Sequence, residues 1–212
     1  MKLINRSIVA ACLFAAAGAA SATTFSVTNA VMTPGSGYGI DVSENTNVAT
    51  LLDVRFLKTG FAAQSFDLAT IGAFKDFVVG TVNLLESNNS QGITAAETDN
   101  LGVSIALSFA APGNVINTVL ATADVTAGSL PDNAVDYALT WSPITRTFGT
   151  TGKYTMSFNN LSFSNATDGA QNLVARVTLT AADTAAVPEP GSLALLAVGL
   201  LGAGVLRRRA AK

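Results

Sequence analysis

Histidine is absent from the 212 residues, and cysteine occurs once, at Cys12. Without histidine there is no Ser-His-Asp triad and no imidazole zinc ligand. Cys12 lies in an N-terminal stretch that reads as removable, so the remaining chain has no thiol chemistry and no disulfide staple. Charge is scarce at 12% and aromatics at 7%. Of the charged residues, Thr23 to Val187 holds 13 acidic and 6 basic, a formal charge of −7. So acidic a stretch does not bind nucleic acid through phosphates. No G-x-S-x-G elbow is present. Gly35-Ser36-Gly37-Tyr38-Gly39 lacks the spacing of a dinucleotide loop and reads as a flexible turn. Nothing in this inventory points to an enzyme.

Targeting signals are easier to find. Lys2 and Arg6 precede an apolar run from Ile8 to Ala20, and Ala20-Ser21-Ala22 is a small-x-small site, so residues 1–22 read as a signal peptide cut after Ala22. At the other end, Val187-Pro188-Glu189-Pro190 is followed by an apolar segment, Ser192 to Leu206, and then by Arg207, Arg208 and Arg209. Those 15 apolar residues would span about 22 Å as a helix, less than the roughly 30 Å of a hydrocarbon core. Three glycines weaken the segment further. The basic cluster holds the end of the chain on the cytoplasmic side. The two prolines keep Glu189 extended and open to an enzyme.

Proline-flanked acid, short apolar helix and terminal arginines, in that order, resemble the PEP-CTERM sorting signal of Gram-negative bacteria. The resemblance covers Val187 to Lys212. It implies recognition by an exosortase, a membrane cysteine transpeptidase-like enzyme. It also implies transient insertion in the inner membrane, removal of the tail, and delivery to the cell surface or an exopolysaccharide matrix. Pro188, Glu189 and Pro190 would be the sorting motif, and Arg207 to Arg209 the membrane-retention cluster.

Between the signals, apolar and small polar residues alternate. Leu101, Val103, Ile105, Leu107 and Phe109 form one such series; Val135, Tyr137, Leu139 and Trp141 another; Leu173, Ala175, Val177 and Leu179 a third. Period-two alternation bounded by Gly, Pro and Asn turns reads as β-strands. About nine strands without an amphipathic helix predict an all-β domain, a β-sandwich of Greek-key or jelly-roll type. The organisation expected is therefore signal peptide 1–22, extracellular domain 23–182, linker 183–187 and sorting signal 188–212.

The leading functional reading is an exported, non-enzymatic surface or matrix protein, associated with exopolysaccharide or biofilm and handled by the secretion machinery and an exosortase. The alternatives are a carbohydrate- or calcium-dependent binding module and a carboxylate-dependent glycoside hydrolase. Calcium would use the oxygen-rich loops around Gly92, with Glu86, Glu97 and Asp99 as ligands. No other cofactor is expected. Tyr38, Tyr137, Tyr154 and Trp141 offer either a stacking platform for sugar rings or core packing; Val135 and Leu139, sharing a face with Tyr137 and Trp141, favour the core.

Overall fold

The computed structural model describes residues 22–41, 50–58, 61–87, 91–132 and 134–183. These residues form an all-β domain of two six-stranded sheets. The first sheet contains β1 (Thr23–Pro34), β4 (Gln64–Leu68), β6 (Val103–Ala111), β7 (Val115–Val125), β8 (Tyr137–Trp141) and β11 (Leu161–Phe163). Its spatial order is β11-β8-β7-β6-β1-β4. The second contains β2 (Tyr38–Gly39), β3 (Leu52–Leu57), β5 (Phe74–Leu84), β9 (Ile144–Phe148), β10 (Gly152–Phe158) and β12 (Gln171–Ala181). Its order is β2-β3-β5-β12-β10-β9. Every pairing is antiparallel except the short β2–β3 contact.

Period-two alternation becomes burial wherever the strand is continuous. In β6, Val103, Ile105, Leu107 and Phe109 face inward, and in β12 so do Leu173, Ala175, Val177 and Leu179, all at or below 2% exposure. Side chains on the two inner faces meet in one apolar core. Phe25 of β1 contacts Tyr154 of β10 edge-on at 5.3 Å, and Phe109 of β6 lies 5.5 Å from the same ring. A buried polar bridge also joins the sheets. Asn117 of β7 donates to the Tyr154 hydroxyl at 2.8 Å and accepts from Arg146 Nε of β9 at 2.9 Å. Each group finds a partner, which is what lets Asn117 sit at 2% exposure.

Twelve strands replace the expected nine. The additional ones, β2, β9 and β11, have two, five and three residues. β2 and β11 are too short to carry a periodicity signal, and β9 shows no alternation because none of its residues is fully buried. Val135 also departs from expectation, at 51% exposure, while Asp136 beside it is buried. The strand starts only at Tyr137, and the preceding backbone instead bonds across to Phe163 and Thr126. The C-terminal helix expected from the sequence lies outside the described residues.

The Gly35–Gly39 segment is a close-packed crossing rather than a loose turn. Gly35 N donates to Gly102 O at 2.7 Å and Gly37 N to Asn100 O at 3.2 Å. A Cβ on Gly37 would lie 1.9 Å from the Asp99 carbonyl oxygen, so only glycine permits this approach. The crossing aims Tyr38 at the opposite sheet. Its hydroxyl donates to Leu101 O at 2.8 Å and lies 3.0 Å from the Tyr137 hydroxyl.

Candidate functional site

Two of the three carboxylates expected to hold calcium bond to backbone instead. Glu86 is 2% exposed and accepts the Asp53 backbone N–H at 2.5 Å. Glu97 is 1% exposed and accepts the Thr94 N–H at 2.5 Å, closing a 3-10 turn over Ala95–Glu97. Asp99 is exposed in the following loop. Among the described residues no three His, Cys, Asp or Glu side chains form a group that could hold a metal ion. The acid-rich composition of these loops reflects backbone bonding by Glu86 and Glu97, which spacing alone does not distinguish from ligation.

The aromatic platform resolves in favour of the core. Tyr137 and Tyr154 are at or below 1% exposure and Trp141 is at 7%. Tyr38 is half-buried against Phe56, ring centroids 4.9 Å apart. Burial pushes the hydroxyl pKa of all three tyrosines upward; the Asn117 bond partly offsets this at Tyr154 and the Tyr137 bond partly offsets it at Tyr38.

Among the described residues the exposed aromatic side chain is Phe74, on the outer face of the second sheet. The Arg176 guanidinium lies over its ring, 4.0 Å from the centroid. Arg176 also holds Asp76 through two parallel bonds, Nε to Oδ1 at 2.8 Å and Nη2 to Oδ2 at 2.7 Å. These two residues sit opposite one another on β12 and β5, so sheet register creates the pair. A shallow groove of about 310 Å³ opens beside it, lined by Asp76, Arg176, Ser157, Asn159, Val174 and Phe158. Its floor follows a register shift in β12 at Leu173/Val174, where Asn159 bonds the Val174 N–H at 2.6 Å. Arg176 holds the Asp76 carboxyl below the usual carboxylate range, so the groove presents an ionised carboxylate. The surface it offers is hydroxyl, amide, guanidinium and carboxylate. Sequence reasoning did not find this group, because Asp76 and Arg176 are 100 residues apart and only pairing brings them together.

Asp136 has the opposite electrostatic setting. Burial raises its pKa, and the nearby charges of Asp132 and Asp168 add to the effect. It does not line the groove beside Arg176.

The processing signals expected from the sequence lie on either side of the domain. Ala22, the residue before the expected cut, is exposed and directly precedes β1; Ala20 lies outside the described residues, as do Pro188, Glu189, Pro190 and Arg207 to Arg209. Residues 186–209 match the model of the PEP-CTERM protein-sorting motif. The chain therefore carries a PEP-CTERM sorting signal. The match begins one residue before Val187 and ends at the third arginine of the basic cluster. No curated protein and no solved structure gives a significant match to the chain. The PEP-CTERM signal implies processing by an exosortase, export, and passage through a transient membrane stage to the cell surface.

Proposed function

We propose that the protein is a non-enzymatic surface or matrix component whose domain, a β-sandwich, is delivered by its PEP-CTERM tail and contacts extracellular polysaccharide through the groove beside Arg176. The observation that carries the delivery half is the position of the motif: β12 ends at Ala181, and the matched residues begin at 186. A complete all-β unit thus stands directly before a sorting tail. Cell fractionation of the full chain beside a chain ending at Val187 tests this. The full chain is expected in the membrane as a precursor and at the surface as a form lacking the arginine peptide by mass spectrometry. The shortened chain is expected to be exported without either stage. Equal surface retention of the two would contradict the role given to the tail.

The contact half rests on Phe74, Arg176, Asp76 and Ser157. Sugar rings pack against exposed aromatic side chains and hydrogen-bond to planar donors and acceptors. Retention on the native host's exopolysaccharide is expected to fall on Phe74→Ala and on Arg176→Ala while the melting temperature changes little, since surface ion pairs contribute only about 0–1 kcal/mol. Unchanged retention by both variants would remove the groove as the contact site.

A further inference from the structure

Strand pairing places the beginning and the end of the domain at one pole. Thr23 opens β1 opposite Leu68, and the turn after Leu68 leads to Gly72, whose N–H donates to Leu179 O at 2.8 Å near the end of β12. The β9–β10 turn lies at the same pole, because Lys153 pairs with Ala181. That turn holds the departing chain. Asp183 Oδ1 accepts the N–H groups of Thr150 at 2.8 Å and Thr151 at 3.1 Å, and Thr151 Oγ1 donates to Ala182 O at 3.2 Å. Gly149, at φ +55°, makes room, since a Cβ there would fall 1.8 Å from Asp183 Oδ2. Asp183, which sequence reading assigns to the linker, is thus bonded to the domain. Five residue steps separate it from Pro188, a reach of at most about 18 Å.

The surface of this pole differs from the rest of the domain. Ile71 in the β4–β5 turn is 66% exposed; Ile116 and Val115, just after the β6–β7 turn, are 71% and 43% exposed. Lys75 and Lys153 stand among them, and Arg146 lies one strand over. The carboxylates here are engaged, Asp67 by Thr24 Oγ1 at 2.7 Å, Asp76 by the Arg176 guanidinium at 2.7 Å and Asp183 by the turn. The opposite pole, where β1, β5 and β7 end and β6 and β12 begin, collects Asp53, Glu86, Glu97, Asp99, Asp136 and Asp168. The domain is therefore electrically polar, with its acidic end farthest from the tail.

We infer that the pole bearing Ile71, Ile116, Lys75 and Lys153 is a docking surface for an anionic lipid bilayer, used while the PEP-CTERM tail is inserted; the inference rests on the membrane stage of the sorting reading. Three independent features converge on it. The Asp183 seat keeps the domain near the bilayer, since nine residue steps to Ser192, the start of the apolar segment, reach at most about 32 Å. The exposed isoleucines suit the interfacial zone, where apolar side chains bury themselves among headgroups and acyl ends. The charge distribution orients the molecule, because anionic headgroups attract the lysines and repel the acidic pole. Both processing junctions then face the membrane, Ala22–Thr23 and the sorting motif alike.

The full chain, with Cys12→Ser, is reconstituted in phosphatidylcholine vesicles containing phosphatidylglycerol. An environment-sensitive fluorophore is attached to Ile71→Cys, Ile116→Cys or Asp99→Cys. Emission is expected to shift to the blue and to be quenched by lipid-borne spin labels at positions 71 and 116, and to do neither at position 99. Lys75→Glu combined with Lys153→Glu is expected to weaken that quenching without reducing flotation of the protein with the vesicles. Equal quenching at all three positions in protein that floats would overturn the docking surface. Protein that does not float would instead overturn the tail insertion on which it rests.

Discussion

Between pH 10 and pH 11 the domain is expected to lose about 2–3 kcal/mol of stability, a large part of the roughly 5–15 kcal/mol of a typical domain. The cause is its complete tyrosine complement. Tyr38, Tyr137 and Tyr154 are the three tyrosines of the chain, and the folded state raises the pKa of each, chiefly through burial. In the unfolded chain they ionise near pH 10. Below that value both states are protonated and the stabilisation is fully present. Above it the unfolded chain sheds protons that the folded chain keeps, so stability falls as pH rises toward the folded-state values. Each tyrosine contributes up to about 1.4 kcal/mol per pH unit in that window. Absorbance at 295 nm, followed together with near-ultraviolet circular dichroism, is expected to show little phenolate until a single cooperative step in which structure and protons are lost together. A gradual titration centred near pH 10 with the dichroism unchanged would show that these hydroxyls are accessible.

Phe25→Ala should cost about 3–5 kcal/mol, read as a fall in the denaturant midpoint with the slope preserved. Phe25 is fully buried and sits where the edge strands β4 and β9 come together with β10. It stacks on Phe66 of β4 at 5.5 Å and meets Tyr154 of β10 at 5.3 Å and Phe148 of β9 at 6.1 Å. Removing the ring opens a cavity between the two sheets that backbone hydrogen bonding keeps from closing. The exposed Phe74 is the contrasting position, since its removal takes little apolar area out of the interior. A loss below about 1 kcal/mol at Phe25 would mean that the two sheets pack far less tightly than these rings indicate.

Much of the domain is legible from alternation. The inward residues of β6 and β12 are those that periodicity selects, because uninterrupted strands convert sequence spacing directly into facing. β7 is harder to read. Asn117 occupies an inward position where an apolar residue is expected, and only the Tyr154 hydroxyl and Arg146, arriving from the other sheet, explain it. The oxygen-rich loops show the reverse problem. Glu86 and Glu97 look like ligands in sequence, yet each satisfies a backbone N–H, a use that leaves no trace in spacing. The groove beside Arg176 and the Asp183 seat depend on contacts across 100 and 32 or 33 residues, beyond the reach of any local pattern.

Destination and fold class follow from the amino acids alone, because both are written in local chemistry. A proline-flanked acid, a short apolar run and three arginines act as contiguous units, and the inside-outside rhythm of a strand is a property of neighbouring residues. Polarity of the molecule belongs to tertiary structure. Acids that are scattered along the chain gather at one pole, and the first and last strands of the domain, far apart in sequence, begin and end at the other. Antiparallel pairing does this: each reversal returns the chain to a chosen end, so location along the strand axis depends on register rather than on sequence distance.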